Sequence, residues 1–112
     1  MKKLEIIIRP EKVKLLKAIL NESGAHGAMF TRISGYGNQR GKEFSYGGTT
    51  YFENIFTKTK VETVVSDEIA EDLIDKILVS VPTGEAGDGK IFVYDVAEAI
   101  RIRTGERDKA VI

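Results

Sequence analysis

Apolar and polar positions along this chain follow two rhythms, one of two residues and one near 3.6, and the switches between them mark its elements. Lys3 to Arg9 (KLEIIIR) is rich in β-branched residues and is stopped by Pro10, which predicts a strand. From Glu11 to Asn21 apolar residues recur at Val13, Leu16 and Leu20, with Leu15 and Ile19 beside them. Lys12, Lys14, Lys17 and Glu22 supply the wet face of a helix, and Ser23-Gly24 suits its exit. Ala28 to Gly35 (AMFTRISG) predicts a second strand and Lys60 to Ser66 a third. Asp67 to Val81 carries Ile69, Leu73 and Ile77, with a second row at Ala70, Ile74, Leu78 and Val81. This is an amphipathic helix that Ser66 or Asp67 can cap. A strand follows from Lys90 to Val96, then a short helical turn near Ala97 to Ile100, a basic strand at Arg101 to Arg103, and a tail that is polar until its last three residues.

The two halves echo each other. A shift of 57 positions pairs Leu4 with Val61, Glu5 with Glu62, Ile8 with Val65, Leu16 with Leu73, Leu20 with Ile77 and Gly27 with Gly84. Each half is strand, helix, strand. Two such units predict an α+β, ferredoxin-like βαββαβ sandwich: a mainly antiparallel sheet with both helices on one face. The bare sheet face needs cover, and another subunit is the simplest cover, so a homo-oligomer is expected. Between the halves, residues 36–57 show no sustained period. A stretch of that length in so small a domain is a functional loop or a long, bent hairpin.

Length and composition narrow the function classes. A chain of 112 residues is expected to form one domain. Lys+Arg and Asp+Glu are 17 each, so nucleic acid held by bulk positive charge is not expected as a partner. Without cysteine there are no disulfides or thiolate metal sites, and the single His26 builds no intrachain histidine cluster. No apolar run is long enough to span a membrane and the amino terminus lacks a signal-peptide core, so no membrane insertion and a cytoplasmic location are expected.

The chemistry concentrates in Thr83 to Asp95, TGEAGDGKIFVYD. Gly84, Gly87 and Gly89 give a turn whose N–H groups can cup an anion, and Lys90 adds a mobile positive charge; the alternative is a plain turn between helix and strand. GEAGDGK has the spacing of a Walker A loop, but Ile91 stands at the Ser/Thr position and the loop follows a helix and opens a strand. A P-loop NTPase is therefore rejected. Arg101 and Arg103 are two apart, which on a strand aims both guanidinium forks to one side, as a polyphosphate would need or as a charged edge strand would show. Glu62, among apolar neighbours, is placed to accept from ribose hydroxyls or simply to face solvent. Tyr51 is a modification target or an aromatic prop. GYGNQRG lacks the third glycine and the following helix of a dinucleotide fingerprint, and RGKEFSY lies in the loop, away from the central strand that an aromatic RNA-binding motif requires.

Together these residues resemble the PII family of signal-transduction proteins, the trimeric regulators of nitrogen and energy metabolism. The likeness runs end to end. TGEAGDGKIFVYDV matches the family's carboxy-terminal signature and AIRIRTGE the segment after it. GYGNQRG resembles the start of the long T-loop, and Tyr51 falls where many members carry a modifiable tyrosine. The resemblance implies one domain over 1–112, with a T-loop at 36–57, a B-loop at 82–90 and a carboxy-terminal segment at 97–112. It implies a homotrimer in whose intersubunit clefts ATP and ADP compete, acting on a transporter or metabolic enzyme through the T-loop. Gly87, Asp88, Gly89 and Lys90 would line the phosphates, and Arg101 and Arg103 would close on them, at least one from the neighbouring subunit. Glu62 and Val64 would hold the ribose and adenine end. Met29 stands where a frequent threonine hydrogen-bonds adenine, and Gly37, Asn38 and Gln39 would meet the nucleotide from the loop. Gln39 and Lys58 match positions that in many members engage Mg²⁺ and 2-oxoglutarate, with Arg9 nearby in place of a lysine. The protein would be a regulator and not an enzyme.

Three departures qualify that pattern. The tyrosine-loop signature, Tyr-Arg/Lys-Gly-Ala/Ser-x-Tyr, here reads Tyr46-Gly47-Gly48-Thr49-Thr50-Tyr51, so Gly47 replaces the basic residue that plugs ammonium channels. That bears against channel docking and against nucleotidylylation of Tyr51. Asn38 replaces a common arginine and Glu85 a common lysine, which removes positive charge near the proposed ligands. Two rival functions stay open: a slow ATPase in the same cleft, for which no clear general base is at hand, and a PII-like sensor of another small anion.

Overall fold

Alternation along the first strand, β1 (Lys2–Ile8), sends Leu4, Ile6 and Ile8 into the core and leaves Lys3, Glu5 and Ile7 on the other face. The computed structural model describes residues 1–37, 43–46, 49–52 and 55–112. After β1, Pro10 opens a single 3₁₀ turn, where its missing N–H costs nothing, and the chain continues as helix α1 (Val13–Ser23). Gly24 ends that helix in the left-handed conformation, φ 77°. Strand β2 (Met29–Tyr36) runs out to a two-stranded ladder, β3 (Glu43–Tyr46) paired with β4 (Thr49–Phe52), and β5 (Ile55–Val65) returns. Helix α2 (Asp67–Ser80) is capped by the Ser66 hydroxyl, which accepts from the Ile69 N–H, a contact worth about 1 kcal/mol. Strand β6 (Lys90–Asp95) completes the sheet, whose order is β2-β5-β1-β6 with every neighbouring pair antiparallel.

This is the ferredoxin-like α+β plan. The core is a single cluster in which Leu16, Ile19 and Leu20 of α1 and Ala70, Leu73 and Ile77 of α2 cover the same sheet face as Leu4, Ile6, Val61 and Val65. The internal repeat is visible in the packing: Leu4 and Val61 are both fully buried, as are Leu16 and Leu73. Glu5 lies directly opposite Glu62, its own counterpart in the repeat, so an approximate twofold axis passes between β1 and β5. Among the described residues no helix covers the other sheet face. Period-two alternation and the register place Lys3, Glu5 and Ile7, Lys58, Lys60, Glu62 and Val64, Met29, and Phe92 and Tyr94 on it.

Two sequence expectations are corrected. The hairpin expected in 36–57 is not one of them: Ser34 pairs with Thr57, Gly35 with Phe56 and Tyr36 with Ile55, so β2 and β5 run on as its regular arms. Its strands have no helix above them, and a hydrophobic period is written only where one face is buried. Leu78, assigned to the buried face of α2, is 61% exposed. The basic strand at Arg101–Arg103 and the helical turn before it are both absent. Instead Ile100 bridges Arg107, Arg101 N–H donates to the Glu106 carbonyl at 2.9 Å, and Gly105 (φ 73°) closes a tight turn. Folding back on itself, the RIR segment pairs locally, so the same-side argument for its two arginines does not apply.

Candidate functional site

The glycine segment between α2 and β6 is a loop locked by its own carboxylate. Asp88 accepts from the Thr83 N–H at 2.9 Å, the Thr83 hydroxyl at 2.6 Å, the Gly84 N–H at 2.9 Å and Arg9 Nε at 3.2 Å. Gly84, Gly87 and Gly89 all have positive φ, as the turn requires. The anion cradle expected across the whole segment is therefore filled internally in its first half. Two cations tether the loop from below: Arg9 Nη2 donates to the Ala86 carbonyl at 2.8 Å, and Lys58 Nζ donates to the Gly87 carbonyl. Gly89 lies so close to β1 that a Cβ built there would stand 1.7 Å from the Ile7 carbonyl oxygen.

Those hydrogen bonds, the Thr83 hydroxyl first, hold the Asp88 carboxyl far below the usual carboxylate range. A depressed pKa contributes stability above the unfolded-state value and loses it as pH falls through the native one. The carboxyl ¹³C signal of Asp88 is therefore expected to stay flat from pH 7 down to about 4, where an unperturbed aspartate titrates. A midpoint near 4 would show that the lock does not form.

Beside the loop lies a cleft of about 410 Å³ lined by Ile7, Tyr36, Gly37, Phe56, Lys58, Gly87, Gly89, Lys90 and Phe92. Its floor is apolar and aromatic and its charge is cationic. Lys58 is buried, and burial first, then the positive charge of Arg9, pushes its pKa down. Phe56 packs across Gly35, where any Cβ would collide with its ring. The cleft thus sits at the root of the β2–β5 hairpin, sharing Tyr36, Gly37 and Phe56 with it.

A second hollow, about 510 Å³, is lined by Lys3, Gly27, Ala28, Met29, Glu62, Thr63 and Val64. Here Glu62 is held between Lys3 Nζ at 2.9 Å and Lys60 Nζ at 3.4 Å, and its hydrogen bond from Lys3 leads in drawing its pKa down. Lys58 and Val64 are six residues apart along β5, roughly 20 Å in an extended strand, so the two hollows are separate in one protomer.

The structure therefore brings Gly37, Lys58, Gly87, Gly89 and Lys90 together at one place and Met29, Glu62 and Val64 at another. Asp88 and Arg9 stand beneath the loop and are engaged with it and with each other. Arg101 lines neither hollow: its Nη1 pairs with Glu106 at 2.6 Å and its Nη2 donates to the Ala110 carbonyl at 3.1 Å. Arg103 is exposed in the turn that follows. Tyr51 falls in β4 opposite Phe44. Asn38, Gln39, Gly47 and Gly48 lie outside the described residues. Sequence reasoning missed Thr83 and Asp88 as the loop's organisers, and it missed Ile7, Tyr36, Phe56 and Phe92 as cleft walls. Phe92 was findable, since it alternates with Lys90 along β6.

Among the described residues no group of three or more His, Asp or Glu side chains is placed to hold a metal, and no helix is long and apolar enough to cross a membrane. An antiparallel βαββαβ sandwich with a strand hairpin inserted after β2 and a lysine-lined cleft at its root defines a ferredoxin-like domain of loop-and-cleft type. A family model described as nitrogen regulatory protein P-II matches residues 1–106. The nitrogen regulatory protein P-II of Klebsiella oxytoca is 45% identical over 112 residues, covering 100% of both chains, and P-II 1 of Escherichia coli (strain K12) matches to the same extent. P-II 2 of Methanothermobacter thermautotrophicus is 44% identical over 100% of this chain and 97% of its own. The chain belongs to the P-II family of signal-transducing regulators.

Proposed function

We propose that the protein is a homotrimeric, cytoplasmic regulator of nitrogen or energy metabolism that binds ATP and ADP in clefts between subunits. It acts on a partner transporter or enzyme through the hairpin at 36–57. The observation that carries this reading is the shared wall of the cleft. Tyr36, Gly37 and Phe56 of the hairpin root face Gly87, Gly89 and Lys90, so a ligand there touches the loop and the hairpin together. A ligand that prefers one arrangement of the root biases the whole hairpin by that difference in affinity.

Lys90 supplies charge to phosphates and the loop's second half supplies N–H groups, while Ile7 and Phe92 give an apolar wall. The bare sheet face carries both hollows. A neighbouring copy packed against it would offer Met29, Glu62 and Val64, with Arg101 or Arg103, to a nucleotide whose phosphates rest on the first copy's loop. Mg²⁺ would be held mainly through phosphate oxygens, with Gln39 as a further contact. A carboxylate such as that of 2-oxoglutarate would meet Lys58, since Arg9 is already engaged by Asp88 and Ala86. The same engagement leaves Asp88 poorly suited to serve as a general base, so hydrolysis is incidental in this reading.

Calorimetric titration tests the proposal. Both nucleotides are expected to bind, and Lys90→Ala to weaken them by about tenfold or more, the worth of one charge-assisted contact. No heat from either nucleotide at millimolar concentration with the wild-type protein would sink it.

A further inference from the structure

The tail after Gly105 is polar until Ala110, Val111 and Ile112, and the last two of these are half-buried. Ile112 lies in a hollow of about 260 Å³ with Gly24 and His26 after α1 and with Val65, Ser66 and Ile69 where β5 enters α2. Between this anchor and β6 the chain folds on itself. Ile100 bridges Arg107, the Asp108 N–H donates to the Ala99 carbonyl at 2.7 Å, and the Asp108 carboxylate accepts from the Ala99 N–H at 3.3 Å. Asp108 is the one non-glycine residue with positive φ among the described residues, 55°, a conformation that persists only while its surroundings hold it. Within the turn the fork of Arg101 is already filled. Glu106 accepts from its Nη1 at 2.6 Å and the Ala110 carbonyl from its Nη2 at 3.1 Å. The Thr104 hydroxyl donates to the same Glu106 oxygen at 2.8 Å and fixes the carboxylate in place. Those bonds, Thr104 first and then Arg101, draw the Glu106 pKa down, so the carboxylate facing Arg101 stays ionised at neutral pH.

We propose that residues 99–112 form an autoinhibitory latch, in which Glu106 and Ala110 occupy Arg101 until the phosphates of a nucleotide displace them. The proposal rests on the reading above, in which a neighbouring copy brings this segment's arginines to the nucleotide. Phosphate oxygens offer a guanidinium the same charge-assisted contacts as Glu106 does, so one occupant excludes the other. Once Arg101 turns away, the turn loses its tie to Ala110, Asp108 is free to relax, and Ile112 is held by its own side chain alone. Nucleotide binding and tail docking therefore oppose each other, and by linkage whatever loosens the tail strengthens the nucleotide by the same factor. The closed fraction of the latch lowers the apparent affinity and so sets the nucleotide concentration at which the cleft fills.

The test is calorimetric titration of ATP into the full-length wild type and three variants at one ionic strength. Glu106→Gln removes the charge that holds Arg101, and Ile112→Ser removes the apolar anchor. Each is expected to tighten ATP by about two- to fivefold, the worth of one half-exposed ion pair. Glu98→Gln controls for charge alone: its carboxylate pairs with Arg107 at 3.5 Å in the same segment, so its loss should leave the affinity at the wild-type value. Wild-type binding with either Glu106→Gln or Ile112→Ser no tighter, or with Glu98→Gln tightened equally, would overturn the latch and leave the nucleotide site standing. If the wild type takes up no ATP, the function proposed above falls, and the latch falls with it unless both variants take ATP up.

Discussion

Gly89→Ala is expected to destabilise the protein by about 3 kcal/mol or more and to displace the loop from the cleft. Two costs add. Gly89 has φ 103°, a conformation that an L side chain reaches only with strain of about 1–3 kcal/mol. The new Cβ would also stand 1.7 Å from the Ile7 carbonyl oxygen and 2.7 Å from its carbon, and this neighbour is backbone. Ile7 belongs to the central strand, paired with Lys60 on one side and Lys90 on the other, so β1 cannot withdraw without opening the sheet. Gly24→Ala provides the contrast: its φ is also positive, but a Cβ there meets nothing within 4 Å, and a loss of about 1 kcal/mol is expected. Urea unfolding of both variants checks the difference. Equal losses would mean that the loop does not lie against β1.

Leu73→Ala is expected to cost about 3 kcal/mol, within the usual range of 2–5 for a filled core site. Leu73 is completely buried where α2 meets the sheet, and its counterpart in the repeat, Leu16 of α1, is completely buried too. The approximate twofold axis between β1 and β5 makes these equivalent positions, so Leu16→Ala should fall within about 1 kcal/mol of Leu73→Ala. Leu78→Ala, at a position 61% exposed, should stay within about 0.5 kcal/mol of wild type. If truncating Leu78 hurts a single protomer's fold as much as truncating Leu73, the assignment of the inner face of α2 is wrong.

Most of the sandwich was legible because burial on one face writes a period into the sequence. Leu4, Ile6 and Ile8 alternate, Leu16 and Leu20 are four apart, and the offset of 57 positions that relates the halves follows from two copies of one unit sharing a core. Where one face is not buried, no period is written. Residues 55–57 pair regularly with 34–36, yet they were unreadable as a strand for that reason, whereas Ser34 and Gly35 fall within the strand read at Ala28 to Gly35. Arg101–Arg103 failed in the opposite way: its composition suits a strand, but a strand needs a partner, and Gly105 turns the chain back before one is met.

Within the cleft the division is similar. Residue types fixed in advance that the segment after α2 would be a glycine turn bearing a lysine. Nothing in the residues of that segment shows that Asp88 would spend its carboxylate on Thr83 and Gly84, because the same pattern serves an open cradle equally well. Arg9 and Lys58 are 79 and 29 residues from the loop atoms they hold, and only the pairing of β1 with β5 and β6 brings them there. By itself, then, the sequence determined a two-fold βαβ plan, its core and its glycine loop, since each depends on local spacing. The tertiary structure decided which carbonyls Arg9 and Lys58 grip, which glycines cannot accept a side chain, and that the proposed ligand residues divide between two hollows. Those are contacts between distant strands, and spacing along a chain carries no distance between them.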